Sequence, residues 1–130
     1  MEGTEGTIRV AVCDDALAVT LFFRHVLEED GDMEVVSSAR TGREALDDVG
    51  RERPDALLLD LVLPDVADAR DLVRELRERS PGTTIVLISN MPLPDLEDEC
   101  ARVGADAWMP KAQKPEQLRA ALREVLVPDG

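Results

Sequence analysis

Ala56-Leu57-Leu58-Leu59-Asp60-Leu61-Val62-Leu63-Pro64 is the stretch on which the fold turns. Its first four residues are apolar without alternation, as expected of a strand buried on both faces in the middle of a parallel sheet. Pro54-Asp55 ahead of it marks the turn that enters the strand. The apolar run then stops at a carboxylate, Asp60. Outward in both directions the pattern returns. Ile8-Arg9-Val10-Ala11-Val12-Cys13 precedes Asp14-Asp15, and Ile85-Val86-Leu87-Ile88 precedes Ser89. Glu34-Val35-Val36 offers a second strand, followed only by Ser37, Ser38 and Ala39. Ala105 to Met109 reads as a short fifth strand ahead of Lys111.

Amphipathic segments fill the intervals. Val19, Phe22, Phe23, Val26 and Leu27 recur at helical spacing and are expected on one buried face. Gly31-Asp32 ends that helix. Thr41-Gly42-Arg43-Glu44 has the form of a capping box, in which two side chains satisfy free amides at a helix start; Ala45, Leu46 and Val49 follow as its apolar face. Leu72, Val73 and Leu76 mark a third helix, stopped by Ser80-Pro81-Gly82. Leu96, Cys100 and Val103 give the fourth helix only a thin stripe, which makes it the weakest. The last helix follows Pro115 and buries Leu118, Ala121, Leu122, Val125 and Leu126. Five strand–helix repeats predict an α/β domain, a parallel sheet with helices on both faces and right-handed crossovers.

Bulk properties narrow the function. A chain of 130 residues suits one domain, and 44% hydrophobic content supports a core, which must be aliphatic because the aromatics are only Phe22, Phe23 and Trp108. The formal net charge of -13 repels phosphate backbones, so direct nucleic-acid or anionic-membrane binding is disfavoured. Cys13 and Cys100 show no metal or redox spacing and are read as packing residues. Met1-Glu2-Gly3-Thr4-Glu5-Gly6 has no export signal, and no apolar run approaches a membrane span, so a cytoplasmic location is the default. Arginine outnumbers lysine, a compositional hint of a GC-rich bacterial source.

In open parallel sheets ligands bind beyond the carboxyl ends of the strands. There this chain places Asp14 and Asp15, Asp60, Ser89 and Lys111. Each alone has an ordinary explanation: an Asp after a strand is often a helix cap, and a lone Ser or Lys carries no meaning. Together at four strand ends they point to a binding pocket. Three carboxylates form a hard oxygen donor set that suits magnesium, which takes one or two carboxylates together with water and phosphate oxygen. Without a cation their mutual repulsion raises some of their pKa values.

Val12-Cys13-Asp14-Asp15, Leu58 to Pro64, Ile85 to Ser89, and Gly104-Ala105-Asp106-Ala107-Trp108-Met109-Pro110-Lys111 resemble the corresponding motifs of response-regulator receiver domains. The resemblance runs from about Ile8 to Leu126. It implies a flavodoxin-like (βα)5 doubly wound fold, strand order 2-1-3-4-5. The chain is read as a single receiver domain over 1–130 with a core at 8–127, a tail at 1–7 and no output domain, either a free-standing receiver or a fragment of a longer regulator. It implies that Asp60 is the phosphoacceptor, that Asp15 binds magnesium directly and Asp14 through water, and that the Val62 backbone carbonyl completes the protein's ligands. Ser89 would hydrogen-bond the phosphoryl group, Lys111 would neutralise it, and Trp108 would be the aromatic that swings inward as Ser89 moves. The implied donor is a sensor histidine kinase of a two-component system. The implied output lies on the face of the fourth helix, fifth strand and fifth helix, which could also join two copies in a homodimer; DNA and membrane contacts are not expected. Such a domain assists its own phosphorylation and is a switch more than a turnover enzyme.

The chain also departs from the family. Asp68-Ala69 stands where Asp-Gly is common, so a backbone needing positive φ there would be strained by roughly 1 kcal/mol. Asn90 follows Ser89 where a smaller residue is usual. Lys111-Ala112 replaces a common Lys-Pro, and Lys111 to Glu116 resembles receivers attached to helix-turn-helix outputs, the LuxR-type subgroup. Val62 and Met91 bring no polar group to steer an attacking water, which predicts slow self-dephosphorylation. His25 lies between Arg24 and Glu28 and is read as a solvated helix residue. Two other functions remain open on the residues: a docking or dimerisation module that needs no phosphorylation, for which Asn90 and Ala69 speak, and an aspartyl-nucleophile phosphatase, against which the lack of a D-x-D after a strand speaks.

Overall fold

The computed structural model describes residues 6–126. The elements alternate as β1 (Ile8–Cys13), α1 (Leu17–Glu28), β2 (Met33–Ala39), α2 (Gly42–Glu52), β3 (Ala56–Asp60), α3 (Ala69–Arg79), β4 (Thr84–Ser89), α4 (Leu93–Val103), β5 (Ala107–Pro110) and α5 (Pro115–Leu126). The strands form one parallel sheet in the order β2-β1-β3-β4-β5. This is the flavodoxin-like arrangement that the motifs imply. Residues 1–5 of the expected tail, and Val127 at the end of the expected core, lie outside the described residues.

β3 takes the central place that its unbroken apolar run demands, with every residue buried. The pleat divides its side chains between two cores. Leu57 and Leu59 join Val49 of α2, Leu72 and Leu76 of α3, and Leu96 of α4. Ala56 and Leu58 face the other way, against Phe23, Val26 and Leu27 of α1 and Leu118 and Leu122 of α5. Each fully buried leucine stabilises the fold by about 1.5–3 kcal/mol. The sheet is therefore a rigid platform, and its carboxyl edge sets the spacing of whatever is mounted there.

Several local expectations change. Phe22 is 43% exposed instead of buried; the α1 stripe is narrower because Thr20, not Phe22, lies among its buried residues. β2 is longer than the Glu34–Val36 expected and takes in Ser37, Ser38 and Ala39, so the residue that follows it is Arg40. Its burial alternates as an edge strand's does. β5 begins at Ala107, because Asp106 instead bridges to β4: its amide donates to the Ile85 carbonyl and its carboxylate accepts from the Ile85 amide. α4 keeps its thin stripe of Leu96, Cys100 and Val103 and has no side-chain cap at its start. The box at Thr41 is shifted: Thr41 Oγ1 accepts from the Glu44 amide, but Glu44 Oε1 accepts from the Arg40 amide, one residue before the cap.

Ala69 causes no strain. Asp68 caps α3 by accepting from the Arg70 amide, and Ala69 is the first helical residue, buried, with no positive φ. Among described non-glycine residues only Arg53 has a positive φ, 46°, where it ends α2 in the left-handed region.

Candidate functional site

β1, β3, β4 and β5 deliver their terminal residues to one edge of the sheet. Asp60 and Ser89 are the last residues of their strands, while Asp14 and Lys111 follow immediately after theirs. Asp14 is wholly buried, Asp60 nearly so, and Asp15 is exposed. One carboxylate oxygen from each of the three lies within 4.8 Å of the others. An octahedral magnesium with bonds of about 2.1 Å places its ligand atoms about 3–4 Å apart, so the trio needs little adjustment to share one ion. The pocket joins four of the five residues expected to meet, Asp14, Asp15, Asp60 and Lys111, by side-chain geometry; Ser89 is tied to them through its backbone carbonyl, which accepts from the Lys111 amide.

Lys111 Nζ lies 2.6 Å from Asp14 Oδ2 and 3.4 Å from Asp60 Oδ1. Asp14 Oδ1 accepts from the Ala16 amide at 2.9 Å, and among the described residues Oδ2 has no donor besides the ammonium. Asp60 Oδ1 also accepts from the Val62 amide at 3.3 Å. Asp15 does not cap α1: the cap is Ala16, with no side-chain bond. The bland explanation for Asp15 therefore fails.

Ser89 sits one residue past Ile88, the register partner of Asp60. Its Oγ accepts from the Met91 amide at 3.1 Å, so its own proton is free to be donated, and its carbonyl accepts from the Lys111 amide at 3.0 Å. Trp108 pairs with Leu87 and packs half-buried against the core on the α4 side. The Val62 side chain is 73% exposed. His25 is exposed, as a solvated helix residue should be.

Burial pushes the Asp60 carboxyl above its ordinary value, with the Asp14 charge adding to the rise and the Val62 amide and Lys111 opposing it. Burial alone would lower the Lys111 ammonium; the hydrogen bond to Asp14 and the charge of Asp60 outweigh it, and the net shift is upward. The ammonium is therefore held charged. Cys13 is no competing nucleophile: its buried thiol donates to the Thr41 carbonyl at 3.4 Å, and burial beside Asp60 and Asp14 pushes it far up.

Two neighbours of the pocket escape a search confined to strand ends. Arg40, one residue past β2, donates from its guanidinium to the Asp15 carbonyl at 3.3 and 3.4 Å. Asp65, in the β3–α3 loop, accepts from the Gly42 amide at 2.8 Å and the Arg43 amide at 3.1 Å, capping α2 from outside. A correct end for β2 would have exposed Arg40; nothing in the sequence pairs Asp65 with Gly42. The contact is close, since a Cβ on Gly42 would lie 2.6 Å from Val66 Cγ2.

The Asp65 amide bonds hold its carboxyl below the usual range. Its contribution is thus present above the unfolded pKa and lost as pH falls through the folded one. Asp65→Ala is expected to lower stability by about 1 kcal/mol at neutral pH. In urea titrations the deficit should shrink under strongly acidic conditions; a deficit equal at all pH values would mean that packing, not charge, is involved.

Residues 10–123 match the family model described as response regulator receiver domain. The chain is 30% identical over 118 residues to the oxygen regulatory protein NreC of Staphylococcus epidermidis, covering 91% of this chain and 54% of that one. It is 33% identical over 119 residues to the response regulator MprA of Mycolicibacterium vanbaalenii, covering 92% and 50%. The chain thus spans about half the length of these relatives, and 24% of the Vibrio cholerae regulatory protein LuxO. Among solved structures, the receiver domain of the response regulator NarL from Mycobacterium tuberculosis superposes with a TM-score of 0.81 at 25% identity, covering 91% of this chain and 94% of that one. The chemotaxis response regulator CheY4 of Vibrio cholerae gives 0.79 at 29%, covering 92% and 99%. With the family model spanning most of its length, this chain belongs to the receiver domains of two-component response regulators.

Proposed function

We propose that this domain is a phosphorylation-controlled switch that accepts a phosphoryl group on Asp60 from a phosphohistidine of a sensor kinase. The observation that carries the reading is Lys111 Nζ reaching both Asp14 and Asp60 inside a triad of carboxylates. An Asp60 oxygen bonds to phosphorus as the phosphorus–nitrogen bond of the donor breaks, and the imidazole leaves with the electron pair. Oδ1 is engaged by Val62 and Lys111, which leaves Oδ2 free of donors among the described residues for that attack. Asp15, Asp60 and the Val62 carbonyl would hold magnesium, with Asp14 acting through water. The ion would offset the charge gathered on the phosphoryl oxygens. Lys111 neutralises one of those oxygens and the Ser89 hydroxyl donates to another.

Support for a kinase as donor comes by likeness of fold: CheY6 of R. sphaeroides, which superposes at a TM-score of 0.80 and 24% identity, forms a complex with the P1 domain of CheA3. Output is proposed on the face of α4, β5 and α5, where Trp108 lies against the α4-side core, with self-association through that face as one form of it.

Incubation with magnesium and a small phosphodonor is expected to add one phosphoryl mass, located by peptide mapping to the segment containing Asp60. The adduct should decay over minutes or longer, because Val62 and Met91 offer an attacking water no polar guide. Failure to form it under any magnesium concentration would favour the phosphorylation-independent docking module. A lifetime of seconds would contradict the slow decay alone.

A further inference from the structure

β2 carries none of the proposed site residues, yet the turn that follows it grips two of the loops beside them. Toward the β1–α1 loop, the Asp14 amide donates to the Ala39 carbonyl at 3.0 Å and the Cys13 thiol to the Thr41 carbonyl. The Arg40 guanidinium closes on the Asp15 carbonyl with two bonds of 3.3 and 3.4 Å. Toward the β3–α3 loop, Gly42 and Arg43 hold Asp65.

Asp15 is the member of the carboxylate trio least held by its own side chain. Asp14 is fixed by Ala16 and Lys111, and Asp60 by Val62 and Lys111. Asp15 is exposed, and the bonds that reach it go to its backbone. Where its carboxylate points is therefore set by where its main chain is held. Arg40 is itself anchored, since its amide donates to Glu44 Oε1 at 2.8 Å, tying it to the start of α2.

We propose that Arg40 is a positioning residue: through the Asp15 carbonyl it holds that carboxylate at the spacing from Asp14 and Asp60 that a divalent cation requires. This rests on the pocket being a magnesium site. Charge alone argues the opposite sign, because a guanidinium beside a cation site repels the ion. The two effects are thus separable by the direction of one measurement.

Calorimetric titration of magnesium chloride into the full chain tests it. Removing residues that orient metal ligands weakens binding by about 10–100-fold in well-buried sites. The exposed, long bonds of Arg40 place it below that range, so Arg40→Ala should bind magnesium about fivefold more weakly. Arg40→Lys, which keeps the charge but cannot make both bonds, should fall between. Unchanged or tighter binding in Arg40→Ala overturns the proposal. A parent chain that binds no magnesium overturns it together with the functional reading, whereas a parent that binds while Arg40→Ala matches it removes the role of Arg40 alone. Thermal melts establish that each variant is folded; should Arg40→Ala unfold, parent-like affinity in Arg40→Lys overturns the proposal.

Discussion

Asp60→Asn is expected to take up no phosphoryl group and, in metal-free buffer, to melt at a higher temperature than the parent chain. Loss of the adduct follows from loss of the nucleophile, since an amide oxygen does not attack phosphorus under these conditions. The gain in stability follows from the direction of the Asp60 shift. Its folded pKa lies above the ordinary carboxylate value because it is buried next to Asp14. A group shifted that way favours the fold below its unfolded pKa, and that contribution disappears as pH rises through the folded pKa. At neutral pH the ionised Asp60 therefore opposes folding. Asparagine removes this opposition while its side-chain oxygen still accepts from the Val62 amide, and Lys111 keeps its shorter bond to Asp14. The rise should be about 2–5 °C.

Magnesium should reverse the order. A ligand at hundredfold excess over its dissociation constant adds about 2.7 kcal/mol to the parent, and much less to a variant missing one ligand. Calorimetric melts with and without the ion check both halves. A variant less stable than the parent in metal-free buffer would refute the electrostatic account.

Lys111→Met should act in the opposite direction, destabilising the metal-free domain by about 2–3 kcal/mol. Methionine retains most of the stem's packing, so the loss is one of charge. Among the described residues Asp14 Oδ2 has no donor besides Nζ, and the residue is wholly buried. Stripping one partner from a buried pair leaves a charge that neither water nor protein compensates, and such losses reach about 3–5 kcal/mol. Residual access of the Lys111 side chain, 17% exposed, moderates the figure here. Because a divalent ion can replace the missing cation, saturating magnesium should restore more stability to this variant than it adds to the parent. Urea midpoints in the two buffers measure the difference. Equal magnesium increments in variant and parent would show that Lys111 and the metal do not share a task.

The same two residues show how far a sequence can carry a site. Asp60 and Lys111 were identifiable because each ends an apolar run, and the order of a parallel sheet then brings the ends together. Asp14 was legible for the same reason, and so was Ser89. What periodicity cannot resolve is a difference of one or two residues at an element's end. Ser37 to Ala39 look like a loop because two are polar, yet on an edge strand alternation with solvent is what burial allows. Ending β2 early hid Arg40. Phe22 fits a helical stripe by spacing alone, but Thr20 lies among the residues that face the sheet, and the ring is left at the surface. Asp65 was invisible for a different reason: its partners at Gly42 and Arg43 belong to another crossover, and only packing of α2 beside α3 joins them.

The Lys111–Asp14 bond has a consequence for how the pocket is assembled. It ties the last strand to the first across two intervening strands, between residues near opposite ends of the sequence. Contacts of such separation close late, after the entropy of the enclosed loop has been overcome. A nascent or truncated chain lacking β5 would leave Asp14 without its counter-charge, so under the proposed function competence to receive a phosphoryl group would arrive only once β5 has joined the sheet.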